Sequence, residues 1–166
     1  DDDLDALTYD YSWLVDGVEF SATAGTAASS EVVGPAFATK GQQVQVSVVV
    51  SDGYDSVSVD SAVIDILNSP PVIASATLTS GNAGDVLSCS GENKSDPDGD
   101  TVYETYQWLI DDGQNPPVLS PNQTSTLFGE FERGDSVTCS ITPDDLDVTG
   151  NRYGAPVDAT VVIENS

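Results

Sequence analysis

Residues 96–101 read Asp-Pro-Asp-Gly-Asp-Thr, and residues 106–111 read Tyr-Gln-Trp-Leu-Ile-Asp. The same order, an acidic run followed by Tyr-x-Trp and two aliphatic residues, occurs at residues 1–16. There the two runs read Asp-Asp-Asp-Leu-Asp-Ala and Tyr-Ser-Trp-Leu-Val-Asp. An internal repeat decides the architecture before any single motif does. The chain therefore contains two copies of one module, with a period of about 95 residues.

The match between the copies continues to their ends, where residues 64–69 correspond to residues 161–166. Residues 70–95, which open the second copy, have no counterpart before Asp1. We therefore predict an incomplete module over residues 1–69, lacking its first strands, and a complete module over residues 70–166. The missing strands lie upstream in a longer polypeptide or come from another chain by strand donation.

Apolar and polar residues alternate through both copies, as in residues 43–48, which read Gln-Val-Gln-Val-Ser-Val. Side chains on a strand point to opposite faces in turn, so this alternation indicates half-buried strands. Clusters of Gly, Asn, Asp, Ser and Pro interrupt it at the spacing of an all-β sandwich. The expected fold is two tandem Greek-key β-sandwiches. The segment Asn68-Ser69-Pro70-Pro71 is predicted to be an extended linker between them.

The charge balance excludes several classes of function. The chain has 166 residues, with 4 Lys plus Arg against 28 Asp plus Glu, a formal net charge of −24 and no His. Without His there is no Ser-His or Cys-His nucleophile, so we predict that the protein is not an enzyme. Nucleic acids and anionic membranes bind through clustered Lys and Arg, so neither is an expected partner. Hard cations such as Ca²⁺ suit this surface.

Cys89, Trp108 and Cys139 fall on the second, third and penultimate predicted strands of the second copy. With the Asp-Pro-Asp-Gly-Asp-Thr and Tyr-x-Trp runs, they make the chain resemble tandem immunoglobulin-like repeats of bacterial surface proteins, of the polycystic-kidney-disease (PKD) and cadherin-like kind. The resemblance implies a Cys89–Cys139 disulfide packed against Trp108. It also implies an oxidising, extracellular or cell-surface location. Two buried free thiols are the alternative.

Carboxylates are crowded in the predicted loops, and crowded carboxylates repel one another unless a cation or solvent neutralises them. Ca²⁺ accepts six to eight oxygen ligands in flexible geometry. The loop after the second strand of a sandwich shares an end of the domain with the loop between the last two strands. We therefore predict that Ca²⁺ stiffens the junction between the modules, against the alternative of solvated acidic loops. The candidate ligands are Asp96, Asp98, Asp100, Asp144, Asp145, Asp1, Asp3, Asp5 and Asp52.

These features favour a structural or adhesive repeat of an extracellular surface or filament protein. Its expected partners are neighbouring repeats of the same or an identical chain, including a homopolymer formed by strand exchange. A carbohydrate-binding accessory module is the alternative, for which Tyr9, Tyr54, Tyr103 and Tyr153 are the candidate aromatic residues. Asn93 and Asn122 begin N-glycosylation sequons in predicted loops.

Overall fold

The computed structural model describes residues 5–34, 36–79, 81–82 and 84–164, which contain twelve β-strands and no α-helix. The chain divides into two compact units, Asp1–Leu67 and Asn68–Ser166, here called unit 1 and unit 2. No helix capable of spanning a membrane is found among the described residues. The all-β prediction is confirmed.

Unit 1 is one antiparallel sheet with the strand order β2-β1-β3-β4, and β5 also pairs with β3. Asp16 and Gly17 connect β1 to β2 with φ angles of 52° and 76°. Two successive positive φ angles are typical of a type I′ hairpin turn, for which Asp-Gly is a preferred sequence. The strands are β1 (Thr8–Val15), β2 (Val18–Thr26), β3 (Gln43–Ser51), β4 (Ser56–Asp60) and β5 (Ile64–Asp65).

Unit 2 consists of a three-stranded sheet, β10-β7-β6, and a four-stranded sheet, β12-β11-β8-β9. All strand pairs within these sheets are antiparallel. The strands are β6 (Val72–Leu78), β7 (Val86–Ser95), β8 (Tyr103–Asp111), β9 (Val118–Leu119), β10 (Thr126–Phe128), β11 (Ser136–Asp144) and β12 (Val157–Val162).

The core of unit 2 lies between its two sheets and follows from the period-two alternation of the strands. On β11, Val137, Cys139 and Ile141 are all fully buried, while the residues between them are half-buried. Trp108 on β8 is fully buried directly opposite Cys139. The other buried members of this core are Ile73, Leu87, Cys89, Leu127, Phe131 and Ile163.

A disulfide joins Cys89 on β7 to Cys139 on β11, with a Cα–Cα distance of 6.5 Å. In chain order these are the second and sixth strands of unit 2, and they lie in different sheets. The disulfide therefore joins the two sheets, beside the buried Trp108. This arrangement, with three strands packed on four, is that of an immunoglobulin-like sandwich. Unit 2 is therefore an immunoglobulin-like β-sandwich.

The described part of unit 1 corresponds to the four-stranded sheet of that sandwich. β2, β1 and β3 match β9, β8 and β11 in order and pairing, and β4 with β5 matches β12. Trp13 pairs with Val46 on β3, as Trp108 pairs with Cys139 on β11. No strands matching β6 and β7 occur in the described part of unit 1.

The predicted linker, residues 68–71, is partly buried rather than an exposed connection. Asn68 is 3% exposed, and Pro71 is among the most deeply buried side chains of the chain. Asn68 donates a hydrogen bond to Asp145 and another to the carbonyl oxygen of Asn151. These residues therefore form the first ordered part of unit 2, and they lead into β6.

Candidate metal centre

Three carboxylates converge at the end of unit 2 where the polypeptide enters it. Asp96 and Asp100 lie in the loop between β7 and β8, and Asp145 follows the last residue of β11. One carboxylate oxygen from each lies within 4.8 Å of the others. The two acidic loops thus meet at one end of the sandwich, and Asp96 and Asp145 lie at the same pole.

The β7–β8 loop is shaped by the Asp96 side chain. Asp96 Oδ1 accepts the backbone N–H groups of Asp98 at 2.8 Å and Asp100 at 3.2 Å. Such side-chain acceptors replace the backbone partners that a tight turn leaves unpaired. Gly99 completes the turn with a φ of 84°, a conformation that costs glycine little. The turn brings Asp96 and Asp100 to the same side of the loop.

The second oxygen of Asp96 distinguishes this cluster from an ordinary acidic turn. Asp96 Oδ2 is buried and has no hydrogen-bond partner among the described residues. A buried acceptor without a partner costs about 1–3 kcal/mol, and more when it is charged. Its neighbours in the cluster are carboxylates, which cannot donate a hydrogen bond while ionised. A bound cation or a bound water would satisfy this oxygen.

Asp145 is held in place from both sides. Its Oδ2 accepts the side-chain amide of Asn68 at 2.7 Å, and its Oδ1 accepts the N–H of Asp147 at 2.8 Å. Only 8% of Asp145 is exposed. The residue therefore connects the cluster to Asn68, the first residue of unit 2.

Asp144, another predicted ligand, is bound in an ion pair rather than in the cluster. Arg152 donates from Nε to Oδ1 at 2.5 Å and from Nη2 to Oδ2 at 2.6 Å. This bidentate pair lowers the pKa of Asp144, against the effect of its burial. Both Asp144 oxygens accept from the guanidinium, and Asp144 is not one of the three carboxylates that converge.

Among the described residues, the other predicted metal ligands are not part of this cluster of three carboxylates. Asp98 is exposed, and its Oδ2 accepts the N–H of Ser69 at 2.6 Å. Asp52 lies in unit 1, where the N–H groups of Asp55 and Tyr54 bond to its side chain and lower its pKa. Asp5 is exposed. Asp1 and Asp3 lie outside the described residues, so the predicted acidic site of unit 1 stays a prediction.

The two sequons lie in different settings. Asn93 is exposed but lies within β7, with a φ of 53°, and not in the predicted loop. Asn122 lies in the connection between β9 and β10. Its Nδ2 donates to the carbonyl oxygen of Thr126 at 3.1 Å, and its Oδ1 accepts from Thr124. The glycosylation of either residue stays a prediction.

Sequence reasoning missed a second carboxylate with a structural role, Glu104 on β8. Its Oε1 accepts the N–H of Gly91, and its Oε2 accepts from Lys94 Nζ and Tyr106 Oη, both at 3.0 Å. Burial raises the pKa of Glu104, but these three hydrogen bonds outweigh burial and leave the pKa lowered. Burial and the bond to Glu104 raise the pKa of Tyr106 to about 12. Glu104 is thus fully bonded and ionised.

Asn68 and Arg152 were also missed, although each carries a signal in the sequence. Asn68 is an amide directly before a Ser-Pro-Pro segment, and Arg152 is one of only four basic residues in a strongly acidic chain. A lone cation near an Asp-Asp pair is a natural partner for one of the two carboxylates. Which Asp it selects depends on the loop conformation, which the sequence does not display.

No protein-family model matches this sequence, and no curated protein matches it. Among solved structures, the chain is similar to the FN1–FN3 domains of chicken CNTN1. The sequence identity is 12%, the TM-score is 0.33, and the match covers 95% of this chain and 56% of that one. The immunoglobulin-like assignment of unit 2 rests on its strand order and its inter-sheet disulfide.

Proposed function

We propose that this chain is a non-enzymatic structural repeat of an extracellular protein, in which Ca²⁺ stabilises the end of unit 2 that receives the polypeptide from unit 1. The observation that carries the proposal is that Asp96, whose buried Oδ2 has no hydrogen-bond partner among the described residues, belongs to a cluster in which one carboxylate oxygen from each of Asp96, Asp100 and Asp145 lies within 4.8 Å of the others. Hard oxygen ligands with a net negative charge are the ligand type that Ca²⁺ prefers, and water can complete the coordination.

A cation at this cluster would order the entrance to unit 2. Asp145 holds Asn68, and Asp98, in the same loop as Asp96, holds the N–H of Ser69. Neutralising the cluster would fix the β7–β8 and β11–β12 loops to each other. The first two residues of unit 2 would then be fixed as well. This is the mechanical role that we propose for the ion.

The repeat, the disulfide and the charge support an extracellular role. Disulfides persist in oxidising compartments and are rare in the cytosol. A net charge of −24 keeps a tandem array soluble and self-repelling. The resemblance of the acidic run and Tyr-x-Trp to PKD-like and cadherin-like repeats agrees with a spacer or adhesive segment. The lack of histidine and an immunoglobulin-like fold support a non-catalytic role, although fold alone does not decide function.

The proposal is tested by calorimetric titration with Ca²⁺ and by thermal unfolding in Ca²⁺ and in chelator, at constant ionic strength. We expect saturable binding of one ion to unit 2. At free Ca²⁺ 100 times above Kd, linkage predicts a stabilisation of about 2.7 kcal/mol. The absence of both binding heat and a shift in Tm would contradict the proposal.

Asp96→Asn is a sharp variant because it keeps the Oδ1 acceptor while placing an amide donor at Oδ2. In chelator we expect this variant to be at least as stable as the parent, since one repelling charge is removed and a donor is gained. In Ca²⁺ the parent should gain stability and the variant should not. Asp112→Asn, in the exposed β8–β9 turn, is the matched control and should retain the full Ca²⁺ response.

A carbohydrate-binding role has one observation in its favour. Tyr103 and Tyr153 are exposed and lie on either side of Asp144 in the sheet, each paired with it. However, the guanidinium of Arg152 lies 5.0 Å from the centre of the Tyr153 ring, so one ring face is already engaged. Glycan-array binding that is lost in Tyr103→Ala would favour this alternative.

A further inference from the structure

The sheet of unit 1 has one apolar face, which we call the open face. The register places its residues side by side across β1, β3, β4 and β5, because paired residues of neighbouring strands point to the same side. The open face consists of Tyr9, Tyr11, Trp13, Val15, Val44, Val46, Val48, Val50, Val57, Val59 and Ile64.

The opposite face of the same sheet is mostly polar. It carries Ser12, Gln43, Gln45, Ser47, Ser58, Asp60 and Asp65. An antiparallel sheet with this alternation is built to have water on one side and a packed layer on the other. The open face therefore requires a covering layer.

In unit 2 the matching face is covered. Val137, Cys139, Ile141 and Trp108 are fully buried there, and Val157 and Val161 pack against the same core. On the open face of unit 1, Tyr11 and Val44 are buried and the other β1 and β3 residues are half-buried, whereas the β4 and β5 residues are exposed. Val59 and Ile64, which match Val157 and Val161, are 62% and 61% exposed.

The layer that covers unit 2 is the β10-β7-β6 sheet. It contributes Ile73 from β6, Leu87 and Cys89 from β7, and Leu127 from β10 to the core. Leu127 pairs with Leu87, so β10 is held in place by β7. β7 is the central strand of this sheet and pairs with β10 on one side and β6 on the other. Without β6 and β7, β10 would have no strand with which to pair.

Among the described residues of unit 1, residues 27–34 and 36–42 cover part of the open face. Phe37 packs edge-on against Trp13 at 5.9 Å, Glu31 accepts a hydrogen bond from Trp13 Nε1 at 3.1 Å, and Tyr11 donates to the carbonyl oxygen of Ala28. In unit 2 the matching segment contains β10. Among the described residues 27–34 and 36–42 no strand forms. A strand at this position has no β7 counterpart with which to pair.

The charge of unit 1 indicates which kind of segment can bind to the open face. Residues 1–69 contain twelve acidic side chains and one basic one, so two open faces from two copies would bring strong like charge together. Residues 70–95 contain only Asp85 and Glu92 against Lys94, and are nearly neutral. A segment of this composition can approach the open face without that repulsion.

We propose that the open face of unit 1 binds a nearly neutral pair of antiparallel strands with the chemistry of residues 70–95, which completes a second immunoglobulin-like sandwich. The occupant supplies inward aliphatic residues at the positions of Ile73 and Leu87. Its position opposite Val46 is an aliphatic residue instead of Cys89, because unit 1 has no cysteine. Binding would also let residues 27–42 form the missing β10 counterpart.

The probe is a synthetic peptide of residues 70–95 carrying Cys89→Val, added to the full chain in chelator so that the result is independent of the proposed Ca²⁺ site. We expect saturable binding, with shifted NMR signals and slower amide hydrogen exchange in residues 43–65. A fusion of the same segment before Asp1 provides a second measurement, because tethering raises the effective concentration of a weak binder. It should protect the same residues.

Val59→Asp and Ser58→Asp form a matched pair on β4. Both add one negative charge to an exposed position, but Val59 lies on the open face and Ser58 on the opposite one. We expect Val59→Asp to weaken peptide binding at least tenfold and Ser58→Asp to leave it within twofold. Equal effects of the two variants would overturn the proposal.

The oligomeric state of the chain without peptide gives the remaining outcome. We expect a monomer in sedimentation equilibrium. A dimer that Val59→Asp dissociates and the peptide does not would show that a second copy occupies the open face, which overturns the proposal. Failure of both the peptide and the fusion to protect residues 43–65 would overturn it as well.

Discussion

At the scale of single residues, the ion pair between Asp144 and Arg152 makes the stability of unit 2 depend on pH. The hydrogen bonds from Arg152 lower the pKa of Asp144, so Asp144 stabilises the fold above the pKa of an unfolded aspartate and loses this effect as the pH falls through its folded value. The Asp144 side chain is 4% exposed and the Arg152 side chain is 35% exposed, so a buried carboxylate is paired with a partly exposed guanidinium.

We predict that Asp144→Asn lowers the free energy of unfolding by about 2 kcal/mol at pH 7, the typical worth of a hydrogen bond to a charged group. The difference from the parent should narrow below about pH 4, where aspartate becomes protonated. Urea unfolding followed by tryptophan fluorescence at pH 7 and pH 3 measures it. Asp158→Asn, at an exposed position on β12, is the control. A difference that stays constant with pH would contradict the assignment.

A second residue-scale prediction concerns Gly154, where there is no room for a side chain. A Cβ at this position would lie 1.9 Å from the carbonyl oxygen of Pro71 and 2.7 Å from Pro143 Cγ. The first contact is with backbone, so it cannot be relieved by a rotamer change. We expect Gly154→Ala to destabilise unit 2 by about 1–3 kcal/mol, whereas Gly34→Ala, which meets nothing within 4 Å, should change stability by less than about 0.5 kcal/mol. Thermal unfolding of both variants tests this.

The residues show where prediction of the site from sequence succeeds and where it stops. Asp96, Asp100 and Asp145 could be predicted to converge, because the strand connectivity of a sandwich places their two loops at the same end. The same reasoning could not separate Asp145 from Asp144, since the choice depends on which of the two meets Arg152 across the loop. Nor could it predict that Asp98 would turn towards Ser69.

At the scale of strands, the disulfide between β7 and β11 is the only side-chain cross-link between the two sheets in the described part of unit 2. It closes a loop of 50 residues. In the chain-entropy model a closed loop of this length stabilises by about 4 kcal/mol. The matching position in unit 1 is Val46, so the bridge acts on unit 2 alone.

We therefore predict that the double variant Cys89→Val, Cys139→Val lowers the stability of unit 2 by about 4 kcal/mol and leaves unit 1 unchanged. Each unit contains one of the two tryptophans, so Trp13→Phe and Trp108→Phe backgrounds report on the units separately. Loss of stability in both units would contradict the assignment. Two alkylatable thiols in the native parent protein would show that the bridge is absent.

The strands also show which parts of the fold the pattern determines. The alternation of β3 and β11 predicts both strands. In each strand, three successive inward-facing positions are occupied by valine, isoleucine or cysteine. β10 has only three residues and pairs with β7, so its own sequence is too short for an alternation pattern to predict it. For the same reason its counterpart cannot be found within residues 27–42 by pattern alone.

At the scale of the whole molecule, acidic charge is spread over both units. Unit 1 has the imbalance described above, and residues 70–166 contain sixteen acidic side chains against three basic ones. Such a distribution opposes the compact state of each unit through self-repulsion. Monovalent salt screens this repulsion in both units. An ion bound by Asp96, Asp100 and Asp145 would instead stabilise one end of unit 2. The two effects can therefore be distinguished.

We predict that raising NaCl from about 0.05 M to about 0.5 M, which shortens the Debye length from about 14 Å to about 4 Å, raises Tm in both units and does so equally in Asp96→Asn. Millimolar Ca²⁺ at fixed ionic strength should raise Tm in unit 2 alone, and Asp96→Asn should abolish that rise. Mg²⁺ should be a weaker substitute, because it demands near-octahedral geometry and loses its water reluctantly. Scanning calorimetry under the three conditions separates the terms. If NaCl and Ca²⁺ raised both units alike, with no difference between parent and variant, the cation effect would be screening and the carboxylate cluster would be a solvated turn.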